Sequence, residues 1–186
     1  DTPVGLGPLT SDLSSWSEDS QAAASQRLAQ LGRDLAPDLA EVVTHPEPTA
    51  RELGIMLLAR AVPDAAGPAL ARALRDDDPR VLRAALDSID ARHAGEEALL
   101  GRVMELAETH SDWSTRLRAV QSLGRLGESA GVATLGTILQ GDRYAFVREG
   151  AATALQAIGG PEANRLLDQA AEDPEPRVRA AAARDR

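Results

Sequence analysis

The sequence predicts an all-α solenoid, a superhelix built by stacking helical hairpins. Three observations predict it. A pattern of columns recurs every thirty-odd residues, the apolar residues within each recurrence follow helical spacing, and alternating strand patterns are essentially absent.

The stretch Phe146 to Gly159 serves as the ruler, with Val147 as its anchor. Equivalent anchors fall at Ser20, Ala50, Val81, Thr115, Val147 and Val178, at spacings of 30, 31, 34, 32 and 31 residues. Four places after the anchors stand Ala24, Gly54, Ala85, Ala119, Ala151 and Ala182, all small. Eight places after them stand Leu28, Leu58, Ile89, Leu123 and Leu155. Eleven places after them stand Leu31, Ala61, Arg92, Leu126 and Ile158, where the third unit departs. These offsets trace one helix face, and the small column permits close approach of a neighbouring helix.

The elements follow in order. Residues 1–15, rich in Gly, Pro and Ser, read as an N-terminal extension. Leu9 and Leu13, with Trp16 just beyond, offer a short capping helix. Residues 16–186 form the repeat domain, about five and a half units. Each anchor helix is preceded by turn and cap signals, as in His45-Pro46-Glu47-Pro48, Asp76-Asp77-Asp78-Pro79, Gly141-Asp142 and Asp173-Pro174-Glu175-Pro176. Gly32, Gly127 and Gly159 stand where a left-handed residue would end the helix. A second helix follows, as at Gly67 to Leu74, Glu96 to Ala107, Ala130 to Leu139 and Pro161 to Ala171. In the last, Ala163, Leu166, Leu167 and Ala170 make the stripe to be buried. Neither helix buries its stripe alone, so stacking creates the core. The chain starts with Asp and stops inside the sixth unit's helix, so the expectation is either a module of a longer protein or an Ala-rich end that meets a partner.

Composition narrows the chemistry. Hydrophobic residues make up 43% of the 186 but aromatics only 2%, so the core is Ala, Leu, Val and Ile. The net charge of −9 and the scarcity of aromatics argue against a nucleic-acid partner. All 20 basic residues are Arg, which excludes Lys chemistry. The absence of Cys removes disulfides, thiolate zinc sites and thiol nucleophiles. No apolar run is long enough to insert in a membrane. His45, His93 and His110 show no metal-ligand spacing, and the Asp76-Asp77-Asp78 run reads as helix capping. We therefore expect no catalytic residue, no metal and no cofactor. The compartment is left open, with a soluble cytoplasmic protein favoured over an exported one.

The stretch Asp173-Pro174-Glu175-Pro176-Arg177-Val178-Arg179-Ala180-Ala181-Ala182 resembles the HEAT-like repeat of the phycobilin-lyase type, Asp-Pro-x-x-x-Val-Arg-x-x-Ala. Asp142 through Gly159 resembles it too, and the likeness extends over roughly residues 16–186. The resemblance implies a ladder in which an Asp pairs with the Arg six places on. Asp142 with Arg148 and Asp173 with Arg179 match, while His45 with Arg51 and His110 with Arg116 carry His in the Asp place. The third unit offers Asp76 with Leu82, or Asp77 with Arg83, and the first Ser15 with Gln21. HEAT-like repeats also occur in deoxyhypusine hydroxylase, where His-Glu pairs hold iron, but this chain has no His-Glu dipeptide. The DNA alkylation-repair relatives use a basic, aromatic-bearing groove that this acidic composition does not match.

The resemblance further implies that the anchor helices line the concave side. Two places after the anchors stand Ala22, Glu52, Arg83, Leu117, Glu149 and Ala180; six places after, Gln26, Met56, Asp87, Gln121, Thr153 and Arg184; ten places after, Gln30, Arg60, Ala91, Arg125 and Ala157. Arg beside exposed apolar residues is characteristic of protein-binding surfaces. The expected function is a non-catalytic scaffold or adaptor that binds a protein or peptide on the concave face. Its contact residues would be Met56, Arg60, Arg83, Arg118, Gln121 and Arg125. The alternatives are a phycobilin-lyase-like or other enzyme-accessory protein, or a structural module of a larger one.

Overall fold

The computed structural model describes residues 42–183. The first unit with its outward residues Ala22, Gln26 and Gln30, the expected cap at Leu9, Leu13 and Trp16, and Arg184 lie outside the described residues. Nine α-helices run through the described part: α1 Pro48–Ala61, α2 Pro63–Ala73, α3 Pro79–Ser88, α4 Glu97–Thr109, α5 Trp113–Leu126, α6 Val132–Gly141, α7 Ala145–Ile158, α8 Pro161–Ala170 and α9 Pro176–Ala182. Short 3₁₀ turns at Ala91–His93 and Ser129–Gly131 precede α4 and α6. No described residue is in a strand.

The helices form two layers. The anchor helices α1, α3, α5, α7 and α9 each pack on the next, and so do the second helices α2, α4, α6 and α8. The core lies between the layers. Gly54, Ala85, Ala119, Ala151 and Ala182 are all buried, as are Leu58, Ile89, Leu123 and Leu155. The small column is a steric requirement of helix approach. The neighbouring Gly124 shows the same tightness, because a Cβ there would sit 3.0 Å from the Cα of Ala154 in the next anchor helix.

The second helices match their expected places with one difference. Expected from Gly67, α2 begins at Pro63 and runs through Pro68. Pro63 supplies a preset first-turn φ, and Pro68 is exposed, on the helix face away from the core.

Each anchor helix is entered by the same turn. The residue five places before the anchor accepts the backbone N–H two residues on. His45 accepts from Glu47 at 3.0 Å, Asp76 from Asp78 at 2.9 Å, His110 from Asp112 at 3.2 Å, Asp142 from Tyr144 at 2.8 Å and Asp173 from Glu175 at 2.9 Å. A His Nδ1 thus stands in for the carboxylate of an Asx turn. Asp78 and Asp112 add N-caps to α3 and α5.

The ladder runs differently from its expected form. Arg148 donates to the backbone carbonyl of Asp142, not to its carboxylate, and its other nitrogens clasp Asp173 of the next unit at 2.8 and 3.0 Å. Arg116 does the same with the His110 carbonyl and Asp142, and Arg51 with the His45 carbonyl and Asp76. Among the described residues Arg179 keeps only the within-unit part, donating to the Asp173 and Pro174 carbonyls. A sequence offset of six is therefore a backbone contact, while the carboxylate serves the preceding unit's Arg. Between the third and fourth units both partners are missing, with buried Leu82 in the Arg column and His110 in the Asp column. The slipped Asp77–Arg83 alternative does not form an ion pair among the described residues.

Candidate functional site

The outward columns of the anchor helices are accessible throughout the described units. Met56, Arg60, Arg83, Asp87, Gln121, Arg125, Thr153 and Ala157 are exposed, and Glu52, Leu117 and Glu149 are half-buried. Helical spacing alone dictates this, because the opposite columns of the same helices are in the core.

Two adjoining open grooves mark that face. One, of about 680 Å³, is framed by α1, α3 and the first turns of α5, and includes Met56, Arg60, Arg83, Asp87 and Arg118. The other, of about 460 Å³, runs between α5 and α7 and includes Leu117, Gln121, Arg125, Phe146, Thr153 and Ala157. All six contact residues expected from the sequence line one groove or the other. The grooves meet across α5, where Arg118, Gln121 and Arg125 occupy one helix face.

The four arginines divide into two pairs. Arg118 is half-buried and holds both carboxylate oxygens of Asp87, at 2.8 and 2.7 Å. Arg125 donates from Nε to the Ile89 carbonyl at 2.8 Å, and from its terminal nitrogen to the Leu86 carbonyl and Ser122 Oγ. Those carbonyls are at the C-terminal end of α3, where Leu86 receives only a long 3.4 Å backbone bond from the Ile89 N–H. Burial pushes the Arg125 pKa below its ordinary value, partly offset by Asp87 and Asp90. Arg118 and Arg125 therefore join units three and four where the ladder is missing. Arg60 and Arg83, by contrast, make no ion pair or hydrogen bond among the described residues.

Most other charges on the α1–α3 groove are engaged. Arg80 is held by Asp78 and Arg92 by Asp90. Arg92 holds the Asp90 carboxyl down to about 2, against the opposing effect of burial. Glu52 lies in the field of Arg80.

The sequence reading missed the aromatics. Trp113, Tyr144 and Phe146 gather at the start of α5 and α7, with Trp113 centred 5.7 Å from Tyr144 and 6.0 Å from Phe146. Arg143 lies over Tyr144 and Arg177 over Phe146, at 4.8 and 4.1 Å. Phe146 is 50% exposed and borders the α5–α7 groove. The available signal was position: all three stand within three residues before an anchor, outside the core columns. His93, read as a helix-end residue, is buried in the 3₁₀ turn, where its Nδ1 accepts the Asp90 N–H and its Nε2 has no partner among the described residues. Among the described residues no three His, Asp or Glu are grouped as metal ligands. No described helix is long and apolar enough to cross a membrane.

Residues 101–184 match the HEAT repeats family. No curated protein matches the sequence. Among solved structures, the chain is similar to a designed armadillo repeat protein in complex with the peptide (KR)4, at 16% identity and a TM-score of 0.60, covering 91% of this chain and 92% of that one. It is similar to a second designed armadillo repeat protein at 18% identity and a TM-score of 0.54, covering 91% and 93%. It is also similar to human deoxyhypusine hydroxylase in complex with glycerol, at 23% identity and a TM-score of 0.53. That match covers 88% of this chain, which spans 65% of the hydroxylase's length. The recurring columns, the two stacked layers and these likenesses together make the chain an all-α solenoid of helical repeats, of which residues 101–184 match the HEAT repeats family.

Proposed function

We propose that the protein is a non-catalytic scaffold or adaptor that binds a protein partner along its anchor-helix face. One observation carries this reading: the outward columns of successive anchor helices are exposed in register and build two adjoining open grooves. Grooves of mixed character, with Arg and exposed apolar side chains, suit a protein surface. The peptide complex of the designed armadillo repeat protein supports the reading by analogy of fold.

The test is affinity capture with the intact chain, repeated with Met56→Asp, Arg60→Glu and Arg83→Glu combined. These side chains are exposed, so the variant is expected to keep its helical circular dichroism and unfolding midpoint. A partner retained by the wild type and lost by the variant supports the assignment. A partner held equally by both places binding elsewhere. Arg118 and Arg125 are poor choices, because changing them disturbs the junction between units as well as the face.

A further inference from the structure

We propose that this face takes an extended acidic peptide, with its carboxylates on Arg60 and Arg83 and an apolar side chain in the α5–α7 groove. The inference rests on the protein-binding reading and adds the chemistry of the partner.

The acids lining the two grooves are Glu52, Asp87, Asp90 and Glu149. Asp87 is held by Arg118, Asp90 by Arg92 and Glu149 by Arg177, while Glu52 makes no ion pair among the described residues and lies in the field of Arg80. Arg80 is held in turn by Asp78. Arg60, Arg83 and Arg125 have no carboxylate partner among the described residues. The face is thus locally cationic on a chain whose net charge is −9. A carboxylate matches a guanidinium with bidentate geometry, and Arg60 and Arg83 lose no existing pair when they take one.

The second groove supplies the apolar half. It is lined by Leu117 and Phe146 together with the small residues Gly124, Gly150, Ala154 and Ala157. A Cβ at Gly150 would lie 2.6 Å from Leu117 Cδ1, so a larger residue there would turn the Leu117 side chain that lines the groove. Phe146 is a large, half-exposed ring stacked on Trp113, so it offers contact area already held in place. Packed helices lie about 8–10 Å apart, so the path from Arg83 on α3 across α5 to the α5–α7 groove is about 13 Å, which an extended chain crosses in about four residues. The expected ligand therefore has acidic residues and one Leu, Phe or Met a few positions apart.

The experiment is a display selection of random peptides about twelve residues long against the full chain, followed by fluorescence anisotropy of the winners at low and high salt. Winners are expected to be acidic, to carry an apolar residue, and to weaken as salt rises. Arg60→Glu/Arg83→Glu should weaken them at least tenfold, and Phe146→Ser by a comparable factor. A charge-reversed winner, with Lys replacing each Asp and Glu, should bind the double-Glu variant better than the wild type. Loss of structure alone would not produce that gain.

Basic winners, or acidic winners indifferent to Arg60→Glu/Arg83→Glu, overturn the inference but leave the scaffold reading standing if they respond to Phe146→Ser or Met56→Asp. No enrichment at all counts against both. Displacement of winners by inorganic phosphate at equal concentration would mark a small-anion site and overturn the peptide assignment.

Discussion

Arg116 donates four hydrogen bonds from one guanidinium: two to the Asp142 carboxylate and one each to the carbonyls of His110 and Ser111. Both members of the pair are over nine-tenths buried as side chains. Removing one partner leaves an uncompensated buried charge, so Arg116→Leu or Asp142→His alone should cost about 3 kcal/mol. Made together, they copy the Leu82/His110 arrangement that the chain uses one unit earlier. His at 142 retains an acceptor for the Tyr144 N–H, as His110 does for Asp112. The double variant should therefore cost less than the sum of the singles, by about 1 kcal/mol or more in a urea-denaturation cycle. Additive costs would show that the two side chains are not a unit.

The same carboxylates set the response to acid. Arg51 holds the Asp76 carboxyl below its ordinary range, and Arg148 does so for Asp173. For Asp142 burial opposes ionisation, but Arg116 and the Tyr144 N–H outweigh it and the pKa is again lowered. Ser114 leads the groups that hold Asp112 at about 2, and Arg80 those that hold Asp78 at about 2. A carboxyl depressed on folding binds fewer protons in the folded chain than in the unfolded one. Its contribution is complete above the unfolded value near 4 and is lost as pH falls toward about 2. The urea midpoint should be flat from neutral pH to about 5 and then drop through that window. A midpoint unchanged down to pH 2 would contradict these assignments.

Helix ends separate two glycines that look alike in sequence. Gly127 ends α5 at φ 72°, ψ 12°, an ordinary left-handed cap. Gly159 ends α7 at φ 70°, ψ −166°, a region essentially reserved for Gly. Neither has a neighbouring atom where a Cβ would go, so the backbone alone decides the cost. Gly127→Ala should cost about 1 kcal/mol and Gly159→Ala about 2 kcal/mol or more. Asn should be accepted at 127 and not at 159. Thermal unfolding of the four variants checks the order, and equal shifts at both sites would refute it. The reason for the difference is downstream: Gly159 and Gly160, at φ 93°, hand the chain directly to α8, which starts at Pro161.

Across the whole stack, the junction of the third and fourth units stands apart. It has the longest spacing between anchors, 34 residues. It has no ladder rung, and Arg125, Arg118 and the Ser122 hydroxyl bind the end of α3 instead. In a solenoid, stability is a sum over units and their interfaces, so a local change has local consequences. Arg125→Met should raise amide exchange in α1 to α3 more than in α7 and α8. Hydrogen-exchange mass spectrometry reads this directly, and a uniform rise along the chain would rule out a distinct junction.

The repeat spacing, the helical columns, the cap signals and the small residues were legible in the sequence, because each is a local demand of helix geometry or close approach. The face on which Met56, Arg60, Arg83, Arg118, Gln121 and Arg125 stand was legible for the same reason. Their division was not. Whether an Arg is free or tied depends on groups 25 to 39 residues away, such as Asp76 for Arg51 or the Leu86 carbonyl for Arg125. The direction of the ladder, the joining of two grooves across α5 and the aromatic ridge likewise depend on how one hairpin seats on the next. Periodicity within a helix says which side faces the core, and only the stacked coordinates say which neighbour each outward side chain meets.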